Sequence, residues 1–112
     1  MTDCLFCKIL AGEIPSDKIY EDEKMLVFKD INPQADVHLL AIPRVHIASL
    51  NEVNDEHDQI MAHMIKQLPR LAKEQGLKDG FRTIINTGKG GGQIVYHLHM
   101  HLLGGGNLPG FQ

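Results

Sequence analysis

Residues His97, His99 and His101 alternate with Leu98, Met100 and Leu102 near the end of the chain. Tyr96 precedes them on the apolar parity, and Gly104-Gly105 follows. A repeat of two is the signature of a β-strand with unlike faces. In a helix the same histidines would scatter around the cylinder. The pattern therefore predicts a strand over 94–103, one face buried and the other carrying three imidazoles. It enters from a glycine-rich stretch, Gly88-Lys89-Gly90-Gly91-Gly92.

Alternate residues on a strand lie about 6.6 Å apart. At an effective dielectric near 20, two imidazolium charges ~7 Å apart repel by roughly 2.4 kcal/mol, or about 1.7 pKa units. Such a face holds about one proton near neutral pH, so neutral nitrogens and one cation can act together. Three uses fit it: a decorated exposed strand, a His-x-His metal site, and nucleophilic attack by the middle histidine with its neighbours binding phosphoryl oxygens.

The remaining elements follow from local signals. Cys4 to Ala11 reads as a short helix stopped by Gly12. Strands are expected at 18–21 and 25–29, joined by a turn at Asp22-Glu23, and at 37–43, ended by Pro43. Asp30 to Gln34 is a loop containing Asn32-Pro33. A long helix is expected from Asp55 to Gln75, capped by Asn54 and closed by Gly76. Its apolar stripe is Ile60, Met64, Leu68 and Leu71, widened by Met61, Ile65 and Ala72. Pro69 should kink it, and His57 and His63 should be solvated. A fourth strand is expected over 81–87, with a wide hairpin into the histidine strand. Strands, one helix, then two strands argue for an α+β fold with a largely antiparallel sheet of five strands. Pro109-Gly110 suggests a turn or loose end in the tail, 106–112.

A chain of 112 residues is most simply one domain, 1–112. The formal charge of −3 gives no general attraction to nucleic acid or anionic membrane. No signal-peptide pattern or transmembrane-length apolar run is present, so a cytoplasmic protein is expected. The two cysteines, Cys4 and Cys7, would share a face of a helical turn. A metal half-site, a redox pair and two small buried hydrophobes all fit that spacing. The glycine loop can bring backbone N–H groups to an anion, but it lacks the ending of a Walker A loop. Asp30 could accept hydrogen bonds from a vicinal diol.

Together these residues resemble the histidine triad family. The likeness rests on His97-Leu98-His99-Met100-His101-Leu102-Leu103, Cys4-Leu5-Phe6-Cys7-Lys8-Ile9, Gly12-Glu13-Ile14-Pro15, Asp30-Ile31-Asn32-Pro33-Gln34-Ala35, His38, Ile42-Pro43-Arg44-Val45-His46 and Gly91-Gly92-Gln93. It is greatest for the nucleotide-binding branch, whose members hydrolyse purine nucleoside phosphoramidates. The resemblance implies that His99 attacks the α-phosphorus to form a nucleotidyl-histidine. His101 would bind a phosphate oxygen, with His97 and His38 supporting the nucleophile. Asp30 would hold the ribose, and Asn86, Gly92, Gln93 and Ile94 would line the ribose-phosphate site. Phe6, Ile9, Ile14, Phe28 and Ile31 would form an apolar slot for the purine.

The resemblance also implies a homodimer with one continuous sheet and an AMP-type product, with no cofactor needed for catalysis. Cys4, Cys7, His46 and His97 match the structural zinc ligands of some relatives. A dinucleoside polyphosphate hydrolase, a nucleotidyl transferase and a nucleotide-binding regulatory module are the alternatives. Two departures bear on turnover and leaving-group selection. Ile94 stands where many relatives have a hydroxyl residue. Gly106 stands where they often have arginine, ahead of a tryptophan-bearing end.

Overall fold

The computed structural model describes residues 4–106 and Leu108. The expected turn at Pro109-Gly110 lies outside the described residues. Helix α1 spans Leu5–Leu10, strands β1, β2 and β3 span Lys18–Glu21, Met25–Lys29 and Val37–Pro43, and helix α2 spans Asp58–Glu74. Strands β4 and β5 span Arg82–Ile84 and Met100–Gly104. The sheet is antiparallel with order β1-β2-β3-β5-β4. This is the α+β fold the element order predicts.

The two faces of the sheet carry different cores. Met25, Val27, Leu39, Ala41, Leu98, Met100 and Leu102 pack with Met64, Leu68, Leu71 and Ala72 of α2. Leu26, Phe28, Leu40 and Ile42, of opposite parity, pack with Phe6 and Ile9 of α1. Each Val, Leu, Ile, Phe or Met among them contributes about 1.5–3 kcal/mol on full burial. The apolar parity of the histidine segment thus faces α2, and its polar parity lies on the α1 side. Tyr96 departs from this pattern and is exposed.

Asn54 caps the 3-10 turn Asp55–His57 that leads into α2, rather than α2 itself, whose own N-cap position is His57. The Asn54 side chain accepts from the Glu56 N–H, and His57 Nδ1 accepts from the Asn54 N–H. His57 is thus a capping partner. The chain enters through a 3-10 turn, Asp55–His57, so the α-helix itself starts three residues later than expected. It continues through Pro69, on the exposed face. There water can satisfy the freed Ile65 carbonyl. Ile65 does not widen the apolar stripe; it is exposed. Gly76, at φ +84°, terminates the helix in the left-handed conformation. His63 is not simply solvated: its Nε2 lies 2.7 Å from Asp22 Oδ2.

The expected strand over 94–103 is only half formed. Ala41 pairs with Met100, and continuing that register would set Leu98 against Pro43. Pro43 has no N–H to extend the ladder. The Leu98 N–H instead donates to the Ile47 carbonyl at 2.6 Å, and the Pro43 carbonyl faces the His97 ring. Residues 94–99 therefore run as irregular chain, and only His101 of the triad sits in β5. The partner strand is correspondingly short. It pairs only from Arg82 to Ile84, rather than over 81–87.

Candidate active site

The three histidines remain on the α1 side, but each has its own environment. His97 is fully buried beside Cys4, Cys7 and His46. His99 is buried against the edge of Phe6, ring centres 5.1 Å apart. The His101 ring centre lies 5.0 Å from that of His99, edge to face, and 5.1 Å from that of His38 of β3, tilted. His38 reaches it because β3 and β5 are neighbours and both side chains share the α1 face.

Hydrogen bonds fix what each ring presents. His99 Nδ1 lies 2.8 Å from the His97 carbonyl, which can only accept, so Nδ1 carries the proton. In a neutral imidazole that donates from Nδ1, the other nitrogen, Nε2, has a bare lone pair. His38 Nδ1 accepts from the Gln34 N–H at 3.0 Å. Its Nε2–H then donates to His101 Nδ1 at 2.8 Å, with Asp30 Oδ2 at 3.4 Å. His101 Nδ1 is thus an acceptor, and its Nε2 carries a hydrogen. Adjacent rings therefore present a nucleophilic nitrogen and an N–H donor.

Burial keeps the supporting rings neutral. It holds His101 down at about 4, with help from His99 and His38. It holds His97 down at about 4 against the effect of its bond to Pro43. Burial lowers His38 too, opposed by Asp30. Desolvation, rather than the mutual repulsion inferred from spacing, is the larger cause.

The other expected site residues divide into two groups. Phe6, Ile9 and Phe28 come together as a buried cluster, with Ile14 packed beside them. Ile31 does not join them; it is 91% exposed. Asp30 is half-buried, its Oδ1 accepting from the Asn32 N–H. Asn86 lies half-buried just beyond β4. The glycine stretch contains a 3-10 turn, Lys89–Gly91, and Gly92 takes φ +86°. Ile94 is 89% exposed.

Sequence reasoning missed several supports. The Gln93 side chain accepts from Gly88 N–H and donates to the Ala48 and Val95 carbonyls, closing the glycine loop. Gln34 N–H and the Pro43 carbonyl orient His38 and His97. These partners are backbone groups or distant in sequence, so composition and periodicity carry no signal for them.

Cys4, Cys7, His46 and His97 bring four ligand atoms within 4.8 Å of one another. Cys4 caps α1, where its Sγ accepts from the Cys7 N–H. His97 Nδ1 lies 3.4 Å from Cys4 Sγ, 3.5 Å from Cys7 Sγ and 3.3 Å from His46 Nδ1, and Cys7 Sγ lies 3.3 Å from His46 Nδ1. Tetrahedral zinc, with Zn–S of about 2.3 Å and Zn–N of about 2.0–2.1 Å, requires N–N and N–S edges of about 3.3–3.6 Å and an S–S edge of about 3.8 Å. The His97 Nε2–H donates to the Pro43 carbonyl, which leaves Nδ1 free as a ligand. Burial, then the hydrogen bond to Cys4, pushes the Cys7 thiol up to about 11. A bound dication would reverse that preference. The four residues therefore fit a closed structural ion. Both His97 nitrogens are committed there, so His97 and His99 do not form a chelating His-x-His pair.

A family model described as "scavenger mRNA decapping enzyme C-term binding" matches residues 3–108. The chain is 55% identical over 104 residues to protein HitA of Neisseria gonorrhoeae, covering 93% of this chain and 97% of that protein. It is 47% identical over 104 residues to the purine nucleoside phosphoramidase of Escherichia coli, covering 92% of this chain and 87% of that enzyme. A histidine triad protein from Clostridium difficile superimposes with a TM-score of 0.93 at 46% identity, covering 100% of this chain and 98% of that one. The chain belongs to the histidine triad (HIT) family, a family of hydrolases. Among the described residues, no helix is long and apolar enough to cross a membrane.

Proposed function

We propose that the protein hydrolyses purine nucleoside phosphoramidates, or related adenylated compounds, to a nucleoside monophosphate. The observation that carries this reading is the pairing of a bare His99 Nε2 with the His101 Nε2–H, ring centres 5.0 Å apart. In the first step the His99 Nε2 lone pair attacks phosphorus, the phosphorus–nitrogen bond breaks, and the amine leaves with a proton from solvent. The His101 N–H stabilises charge on a phosphoryl oxygen. The His97 carbonyl holds the Nδ1 proton of the cationic nucleotidyl-imidazole. Water then attacks phosphorus, the bond to Nε2 breaks, one proton of the water returns to solvent, and the nucleotide leaves with His99 neutral again.

Asp30 holds the ribose in this reading, and the Phe6, Ile9, Ile14 and Phe28 cluster forms the base of the purine slot. Cys4, Cys7, His46 and His97 hold a zinc ion. When bound, the ion cross-links the start of α1 to the segments carrying His46 and His97. It supplies no step at phosphorus. Two copies pair through a sheet edge as a homodimer, which sedimentation equilibrium would reveal as twice the chain mass.

The test uses adenosine phosphoramidate with mass detection of the protein. Wild type should carry an adenylate on His99 and release AMP. His99→Ala should bind AMP but lose both adduct and turnover. Undiminished turnover in that variant would overturn the mechanism. AMP binding without turnover by the wild type would favour the regulatory module.

A further inference from the structure

We infer that the Cys4–Cys7–His46–His97 tetrad is a positioning device for the nucleophile, so that its metal occupancy sets the tautomer and aim of His99. The inference rests on the hydrolase and zinc readings above and deepens both. His97 serves two neighbours at once. Its Nδ1 points into the tetrad, 3.3–3.5 Å from three other ligand atoms. Its carbonyl oxygen, on the same residue, receives the His99 Nδ1–H at 2.8 Å. Anything that fixes the His97 side chain therefore fixes the group that selects which His99 nitrogen is bare.

The intervening chain has little regular structure of its own. Residues 97–99 lie outside β5 and are held by the Leu98 N–H bond to Ile47 and the His97 Nε2–H bond to Pro43. Ile47 follows His46, itself a member of the tetrad. An ion would thus tie both edges of this small frame together.

A second connection runs through α1. That helix has six residues, too few to be stable alone. Cys4 and Cys7 would anchor its first turn. Phe6, between them, packs its ring 6.0 Å from His97 and 5.1 Å from His99. The tetrad thus reaches His99 through the His97 carbonyl on one side and the Phe6 ring on the other. Loss of the ion would release both, leaving His99 free to move its proton to Nε2 and remove the nucleophilic lone pair. His97, Cys7 and His46 act here as positioning residues, since none of them touches phosphorus.

The test compares full-length protein loaded with one equivalent of Zn(II) with the same protein stripped by a chelator, its fold checked by circular dichroism. Nitrogen-15 imidazole spectra report the His99 tautomer without substrate. The loaded protein should show a single Nδ1–H form. The stripped protein should show tautomer averaging, with kcat lowered ~10–100-fold and KM changed less than about threefold. Cys7→Ser should reproduce the stripped state. Cys7→His, which keeps a nitrogen ligand, should bind zinc and restore both readouts.

Identical His99 spectra and kcat in the two folded forms would overturn the coupling while leaving zinc binding and hydrolysis intact. Failure to bind zinc would overturn both the coupling and the tetrad. If stripping unfolds the protein, Cd(II), a larger ion, replaces the stripped form. A displaced His99 Nδ1 resonance then supports the coupling, and an unmoved one overturns it. Coupled spectra in a protein that forms no adenylate would count against the hydrolase reading alone.

Discussion

His99 donates its Nδ1–H to the backbone carbonyl of His97 at 2.8 Å, within one His-x-His step of the chain. A carbonyl cannot donate, so this bond admits only one neutral tautomer of His99. The nucleophile of the proposed reaction is therefore defined by its own backbone, whereas His101 is defined by a side-chain relay from His38.

That difference predicts distinct variants. His101→Ala removes the N–H directed at the phosphoryl group and should lower kcat by ~10²–10³-fold, the usual cost of one oxyanion donor. His101→Gln retains an N–H and should recover part of the loss. Steady-state kinetics on adenosine phosphoramidate measure both. A kcat unchanged in His101→Ala would show that the donor plays no part.

His38 acts one step further back. Its Nδ1 is satisfied by the Gln34 N–H, so its Nε2–H alone holds His101 Nδ1 as an acceptor. His38→Ala frees His101 to adopt the other tautomer. The expected loss in kcat is ~10-fold, within the range for an outer hydrogen-bond partner. The His101 imidazole nitrogen-15 shifts should report mixed tautomers in that variant.

Much of this site is legible in the sequence. The period of two put Leu98, Met100 and Leu102 on a buried face and the histidines on the other, and the structure shows these to be the α2 and α1 sides. Strands β1, β2 and β3 match the residues that the short apolar runs, the Asp22-Glu23 turn and Pro43 predict. The strand over 94–99 was misread because alternation reports which side a residue faces, not whether a partner is available. Pro43 removes the partner, and the same proline leaves a carbonyl for His97. The sequence names Gln93 and Gln34 but not what they do here, because the Gln93 side chain acts through loop closure and Gln34 through its backbone donor. The Asp22–His63 contact joins two elements far apart in sequence, and neither residue carries a motif.

The lowered pKa values predict a pH effect on stability. An unfolded histidine titrates near ~6.5, whereas folded His101 titrates at about 4. Between these values the unfolded chain binds more protons, so stability rises with pH there. The contribution is complete above about pH 6.5 and is lost as pH falls toward 4. His38 adds in the same direction. Urea midpoints should fall from pH 7 to pH 5, and less steeply in His101→Asn. An equal or steeper fall in that variant would contradict burial of a neutral His101.

Asp22 offers a test of the fold that spares the chemistry. Its Oδ2 accepts from the Tyr20 hydroxyl and from His63 Nε2, both at 2.7 Å, and its Oδ1 accepts from the Lys24 and Met25 N–H groups. One carboxylate thus closes the β1–β2 turn and clamps it to α2. Burial opposes its ionisation, but these four donors outweigh burial and hold it well below the usual carboxylate range. Asp22→Ala leaves the donors without their acceptor and should cost about 2–3 kcal/mol, lowering the urea midpoint by about 1–2 M. The carboxylate's contribution is present above its unfolded value near ~4 and fades as pH falls through the lower folded value, so the variant and wild type should converge in strong acid. Tyr20 packs on the α2 side of the sheet, opposite Phe6 and the rings that face α1. Turnover of the folded variant at 25 °C should therefore stay within about twofold of wild type, as expected when stability effects are separate from the site. A large loss of kcat in a variant shown to be folded would mean that the clamp and the histidines are coupled through the sheet.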